Sequence, residues 1–443
     1  MSKAKKIFGY SALAIVIVAV GGLALSWQSA IEPLHTNSTQ SFTDAQIARG
    51  EKLAALGDCA VCHTRPGGET NTGGFAMEIP FGTIYTTNIT PDIETGIGSW
   101  SYEAFERAMR YGVDREGNYL YPAFPYTAFT HTSDDDLYDL YAWLMSQKPV
   151  RYQPPKTSLN FPFNIRQGIW AWNQLYLTAG PIKPNNSQTD EWNRGAYLAE
   201  GLGHCSACHS PRDILFGEKG GDSYLMGGDA GGDSHLMGGD AEGWSAPALR
   251  GDQASPVAWS HQDMAEFLRT GFSANHGVAA GPMAPVIREG TSQLTEEDRQ
   301  AIATYLTSEV EHPQVTSQAV TIVQQTEDKI EPLSSEGARL YSGACMACHA
   351  QTKGAQMSGV RPALALNTNL YADTPDNAIR VVLNGIEYEA TEGLGSMPAF
   401  RHNLSDQQIA VLLNYLRTTF TDKSPWPNLK QQVSQLRAET AAK

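Results

Sequence analysis

The chain has 443 residues, enough at about 100–200 residues per domain for roughly three domains rather than one core. Its hydrophobic share of 41% and charged share of 18% lie in the globular range and exclude a disordered or fibrous polymer. A net charge of -15 offers none of the clustered cation that a phosphate backbone requires, so nucleic acid is excluded as a partner, and six cysteines in this length exclude a disulfide-stapled miniprotein.

At the N-terminus Lys3, Lys5 and Lys6 precede an uncharged run, Ile7–Trp27, that reads IFGYSALAIVIVAVGGLALSW. As a helix its 21 residues would extend about 30 Å, one hydrocarbon core. Basic residues before an apolar run hold that end in the cytoplasm and direct the following chain outward. A cleaved leader has an apolar region of only about 7–15 residues and a small-x-small cleavage site. Here Trp27 and Gln28 stand where that site would fall. The expectation is one uncleaved transmembrane helix within residues 1–34, in the inner membrane, with the body in the periplasm. A cleaved leader is the alternative and delivers the body to the same side.

The body repeats itself. Residues 35–185 open with TDAQIARGEKLAALGDC from Thr43, where Thr43 and Gln46 have the form of a capping box, and run into CAVCH, Cys59 to His63. Residues 186–312 open with DEWNRGAYLAEGLGHC from Asp190 and run into CSACH, Cys205 to His209. Residues 333–425 open with SSEGARLYSGAC from Ser334 and run into CMACH, Cys345 to His349. The motifs start 146 and 140 residues apart, a domain-sized period. Each segment then ends in a second helical pattern with a Ser or Thr cap and acidic residues in its first turn, from Ser133, Thr295 and Ser405. Gly50, Gly195 and Gly337 recur before the motifs, and Trp143, Tyr305 and Tyr415 recur in the closing helices. These aromatics read as core; packing onto the glycine of the opening helix is the other use for them.

The three motifs consume every cysteine: Cys59 with Cys62, Cys205 with Cys208, and Cys345 with Cys348. C-x-x-C-H is the attachment pattern of a c-type haem, in which the thiols add across two vinyl groups and the adjacent histidine becomes an axial iron ligand. A zinc site would need a fourth ligand that each isolated set lacks. A redox-active pair would need a thioredoxin-like strand and helix, which the flanks do not supply. Three covalently bound haem c groups are expected, with His63, His209 and His349 on the iron.

An opening helix, CxxCH, a loop-rich interval and a closing helix together resemble the class I cytochrome c domain, over nearly all of residues 42–420. The implied fold is mainly α, with three tandem cytochrome c domains behind the N-terminal transmembrane helix. Residues 313–332 suit an interdomain linker and residues 426–443 a tail, either a short helix or disordered. A sixth-ligand methionine belongs in the interval before the last helix. GSMPAF supplies Met397 there in the third domain and GPMAPVI supplies Met283 in the second. A thioether ligand raises the potential of haem iron, which suits an electron carrier.

The first domain departs from this pattern, because Phe124 in YPAFPY stands where the methionine would be. Met109, Met77, Met145 and His131 are the remaining donors. Met109 lies three residues before Gly112, and the matching places carry Leu268 before Gly271 and Val382 before Gly385. Those apolar counterparts mark an inward position, so Met109 is chosen; an open or histidine-ligated first haem is the alternative.

The strings FGTIYTTNITPDIETGIGSW, Phe81 to Trp100, and YGVDREGNYLYPAFPY, Tyr111 to Tyr126, closely resemble the multihaem cytochrome c subunits of membrane-bound bacterial dehydrogenases. That family serves quinoprotein alcohol dehydrogenases, flavin-dependent gluconate and sugar dehydrogenases, and molybdenum-containing aldehyde or N-heterocycle dehydrogenases. Phe124 with Met109, and SWQSAIEPL after the apolar run, are more similar to the cytochromes paired with molybdenum hydroxylases. The resemblance implies an electron-transfer subunit with no substrate site of its own. Electrons would come from a periplasmic dehydrogenase catalytic subunit and pass to quinone or a terminal oxidase. The rival reading is a haem peroxidase using an open first haem, but no distal acid/base constellation accompanies the missing methionine.

Two features fall outside this scheme. GGDSYLMGGDA from Gly220 is repeated at once from Gly231, differing only at Tyr224 and His235, and reads as an enlarged surface loop rather than a metal site of Met226, Met237 and His235. His204, His261, His276, His312 and His402 read as surface or loop residues.

Overall fold

A computed structural model describes residues 21–22, 24–34, 41–219, 234–250, 255–308, 315–330, 333–351, 360, 362–386, 390–391 and 393–441. These are mainly helical and fall into two compact units, Met1–Ala54 with Cys62–Ile182, and Ala55–Val61 with Lys183–Lys443. Among the described residues no helix is long and apolar enough to cross a membrane. The Ile7–Trp27 run lies for the most part outside them.

In the first unit, helix α1 (Asp44–Leu56) is followed by a small antiparallel sheet of β1 (Ala76–Ile79), β2 (Gly82–Tyr85) and, later in the chain, β3 (Ser158–Leu159), in that order. Met77 stands opposite Ile84, and Gly82 opposite Leu159. Helices α2 (Tyr102–Tyr111) and α3 (Asp134–Ser146) bury Phe105, Ala108, Met109, Leu137, Leu140 and Tyr141, and α4 (Gly168–Tyr176) ends the unit. The onsets lie where the sequence marks them. Gln46 N–H donates to Thr43 Oγ1 at 3.3 Å while Thr43 N–H donates to Gln46 Oε1 at 3.0 Å, and Ser133 accepts from Asp136 N–H. Each such cap is worth about 1 kcal/mol to its helix.

In the second unit, α5 (Asp190–Glu200) leads to the hairpin of β4 (Gly239–Ala241) and β5 (Trp244–Ala246), then α6 (His261–Thr270), the short pair β6 (Phe272–Ser273) and β7 (Gly277–Val278), and α7 (Glu296–Thr307). The remaining helices are α8 (Val315–Glu327), α9 (Glu336–Ala344), α10 (Asp376–Asn384), α11 (Asp406–Phe420) and α12 (Leu429–Ala441). Ser405 and Gln408 complete a capping box at α11. The 186–312 and 333–425 segments share this unit. Ala390 packs in one cluster with Ala279, Ala284 and Ile287, and Asn377 exchanges hydrogen bonds with Ser245, at 2.9 and 2.8 Å.

The opening and closing helices cross in the same way in all three segments, and the glycine makes the crossing. A Cβ placed on Gly50 would lie 2.0 Å from Asp139 O and 2.7 Å from Trp143 Cβ; on Gly195, 1.9 Å from Ala301 O and 2.8 Å from Tyr305 Cβ; on Gly337, 2.4 Å from Tyr415 Cβ. The aromatics therefore lie over the glycines, and Tyr305 is buried besides while Tyr415 packs on the core.

Three expectations need correction. The 313–332 linker contains helix α8, whose Ala319 is buried with Val257, Ala363 and Leu366. The duplicated segment is not wholly surface, because the end of its second copy buries His235 and Leu236; residues 220–233, with Met226, lie outside the described residues. His276 is buried, not superficial, and stacks on Trp259 with ring centroids 3.7 Å apart. Of the two readings of the tail the helix holds: α12 buries Val433 and Leu436.

Candidate functional site

Each C-x-x-C-H motif is a single helical turn, at Cys59–His63, Ser206–His209 and Met346–His349. The turn is closed in the second motif by His209 N–H donating to Cys205 O at 2.9 Å, and in the third by His349 N–H donating to Cys345 O at 3.0 Å. One turn is the geometry that sets both thiols and the imidazole against one planar group.

The three histidines share a second relationship. His63 Nδ1 lies 2.6 Å from Thr87 O, His209 Nδ1 lies 2.7 Å from Pro247 O, and His349 Nδ1 lies 3.1 Å from Pro362 O. A carbonyl oxygen only accepts, so Nδ1 carries the proton and Nε2 keeps its lone pair. A metal-ligating imidazole is held in this way, through a hydrogen bond from its other nitrogen that fixes tautomer and ring orientation. Burial pushes all three imidazoles below the ordinary histidine pKa, opposed by the carbonyl bond, so each is a neutral donor at physiological pH.

Four of the thiols point the same way. Burial pushes Cys59 and Cys345 up to about 12, Cys208 to about 11, and Cys205 further up. Zinc binding and disulfide exchange use the thiolate, which these surroundings disfavour. Among the described residues, no three His, Cys, Asp or Glu side chains converge in metal-binding geometry. The residues present fit thioether attachment with one nitrogen on iron better than either competing reading.

The candidate methionines can be placed by element. Helices α2, α6 and α10 each end in a glycine with positive φ (Gly112 at 62°, Gly271 at 74°, Gly385 at 71°), and three residues before it Met109, Leu268 and Val382 are all buried. The inward assignment of the Met109 position therefore holds. Met283 begins a short turn, Met283–Pro285, and packs against the Ala279, Ala284 and Ile287 cluster. Met397 pairs its backbone with Ile386 and packs on the core of the third segment. Phe124 is half-buried, with its ring centroid 5.3 Å from that of Phe129. Of the other first-segment donors, Met77 is half-buried on β1 and Met145 half-buried on α3, while His131 is buried with Nδ1 3.2 Å from Gly180 O.

Sequence reasoning missed the three carbonyl partners and one buried polar group. Pro247 and Pro362 each open a Pro-Ala-Leu tripeptide after their motif, a shared signal that could have found them; Thr87 has none. In the second segment Glu200 Oε1 accepts from Tyr305 Oη at 2.7 Å and pairs with His235 Nε2 at 2.9 Å, all three side chains being buried.

Comparison with known proteins agrees with this geometry. The cytochrome c family matches residues 47–148, and the family described as cytochrome C oxidase, cbb3-type, subunit III matches residues 333–416. The chain is 35% identical over 413 residues to the gluconate 2-dehydrogenase cytochrome c subunit of Pantoea cypripedii, covering 89% of this chain and 90% of that one. It is 33% identical over 440 residues to the cytochrome c subunit of alcohol dehydrogenase (quinone) of Gluconobacter oxydans, covering 96% and 87%. It is 47% identical over 433 residues to a nicotinate dehydrogenase subunit of Pseudomonas putida, covering 97% of this chain but only 35% of that longer protein. Neither these relatives nor the site geometry supports a peroxidase.

Proposed function

This chain belongs to the family of cytochrome c subunits of dehydrogenase complexes, and we propose that it carries three haem c groups and relays electrons from a periplasmic dehydrogenase catalytic subunit to quinone or a terminal oxidase. The observation that carries this reading is the threefold recurrence of one motif turn with one histidine-to-carbonyl bond.

When bound, haem iron takes up and releases one electron. The chain supplies the rest. Cys59 and Cys62, Cys205 and Cys208, and Cys345 and Cys348 would hold each haem by thioether bonds. His63, His209 and His349 would offer Nε2 to iron, with the ring orientation set by the carbonyls of Thr87, Pro247 and Pro362. Met109, Met283 and Met397 would supply a thioether donor, which would hold the potential in a carrier's range. Imidazoles that stay neutral at physiological pH would not be lost as ligands to protonation.

The donor proposed is a catalytic subunit of the aldehyde or molybdenum-hydroxylase type, with alcohol or gluconate types next. Phe124 with Met109 supports that order, as does the higher identity to a nicotinate dehydrogenase subunit. The Ile7–Trp27 run is proposed as a single inner-membrane anchor, leaving the body in the periplasm. Purification of the intact membrane complex with analysis for molybdenum, flavin and PQQ tests the assignment. Molybdenum is the expected result, and a complex with flavin or PQQ alone overturns the order of donors.

A further inference from the structure

The stretch from Thr157 to Pro181, TSLNFPFNIRQGIWAWNQLYLTAGP, contains one charged residue, Arg166. That charge is turned inward, donating to Tyr119 O at 2.8 Å with its guanidinium over the Tyr121 ring. Helix α4 is anchored on its inner face: Ile169 is buried with Val113 and Tyr119, and Asn173 accepts from the Tyr126 hydroxyl at 2.6 Å. Large apolar side chains nonetheless stand in the open on this helix and on the segment that leads into it. Phe161 is 79% exposed and Leu175 66%, and Phe163 and Ile165 are exposed as well. A firmly packed segment that keeps large apolar side chains in the open is a surface built for a partner.

The neighbouring chain identifies that partner. Trp27, the last residue of the apolar run, is 78% exposed, and the residues after it are pinned to this same unit. Ser29 O accepts from Arg107, Ile31 N–H donates to Arg115 O at 2.8 Å, and Gln28 donates to the Tyr119 hydroxyl at 3.3 Å. Trp27 and Gln28 line one cleft of about 960 Å³ with Trp170, Gln174 and Leu177 of the α4 region. The end of a membrane-length apolar run is therefore held beside helix α4. Tryptophan, tyrosine and phenylalanine with hardly a charge is the composition that settles at the headgroup level of a bilayer.

We infer that residues 161–177 form a second membrane contact, lying in the lipid interface beside the anchor so that the first unit rests on the bilayer. This rests on the anchoring reading of Ile7–Trp27 and goes beyond it, because a tether alone leaves the body free to swing. With no lysine on this face, and with Arg107 of the cleft committed to the Ser29 and Arg115 carbonyls beside Glu103 and Glu106, the contact is to the apolar interface and not to anionic headgroups.

The test uses the full haem-loaded chain in phosphatidylcholine nanodiscs, with the iron reduced. A nitroxide is placed at Phe161→Cys, Leu175→Cys or, as control, Glu51→Cys, and each variant is checked by its haem spectrum. Collision with oxygen, which concentrates in lipid, is compared with collision with a water-soluble nickel chelate. The labels at 161 and 175 should meet oxygen in preference to nickel, the label at 51 the reverse, with no change when anionic lipid is added. If the chain co-elutes with discs and labels 161 and 175 behave like label 51, or are shielded from both reagents, this inference is overturned while the anchor stands. A chain that does not co-elute with discs overturns both.

Discussion

His209 and Pro247 are 38 residues apart in the chain, and the imidazole Nδ1 of one lies 2.7 Å from the carbonyl oxygen of the other. The same bond is made by His63 to Thr87 and by His349 to Pro362, although the intervening lengths differ. Three loops of unlike length close on one atomic relationship. The shared feature is the requirement to hold an imidazole with Nε2 free, which is what a ligand to iron needs.

The three methionines are predicted to act alike. Met397→Ala, Met283→Ala and Met109→Ala should each convert one haem from low to high spin and lower its reduction potential, since a thioether ligand raises it. Spectroelectrochemistry of the single variants reads this directly. Phe124→Leu should leave all the potentials in place, and a low-spin first haem surviving in Met109→Ala would assign that ligand elsewhere.

Gly195→Val should destabilise the second unit by about 3 kcal/mol, because its Cβ would begin 1.9 Å from Ala301 O and the helix backbones must separate. Denaturant midpoints give the number. A cost under about 0.5 kcal/mol, the range of neutral surface changes, contradicts the tight crossing.

Tyr305→Phe removes the hydroxyl that donates to buried Glu200 at 2.7 Å, and should cost about 1–3 kcal/mol by leaving the carboxylate short of a partner. His235→Leu should cost a similar amount, and the double variant should cost less than the sum because both bonds end on Glu200 Oε1. Additive losses would place the two side chains in separate networks.

Burial lowers His276 to about 4 from an ordinary value of 6.5, with Asp263 opposing the shift. Between those values the unfolded chain binds the extra proton, so the second unit gains stability as pH rises from about 4 to about 6.5 and loses it again on acidification. His276→Phe, which keeps a ring on Trp259, should flatten that window in denaturant titrations. An unchanged profile would mean that other groups set the acid sensitivity.

Local signals carried much of the fold. The onsets at Thr43, Ser133, Thr295 and Ser405 were legible because a cap is a contact over three residues. The inward place of Met109 was legible because Leu268 and Val382 occupy matching positions, and all three are buried. Helix α8 was overlooked although Ala319, Ile322, Val323 and Thr326 follow a helical period, because its start carries no marked cap. The partners Thr87, Pro247 and Pro362 could not be read from spacing, since they are joined to their histidines by the closure of whole loops. His235 was hidden for another reason: it differs from its copy Tyr224 by one side chain, and only the packing around Glu200 gives it a place in the core.

A trihaem carrier stands or falls on a count. Covalent haem per chain, measured by pyridine haemochrome against protein mass in the fully matured chain, should be three, and should fall to two when both cysteines of any one motif become serine. A value of one or none in the intact chain contradicts such a carrier outright, and a value of two in the intact chain would remove one of the three sites from it.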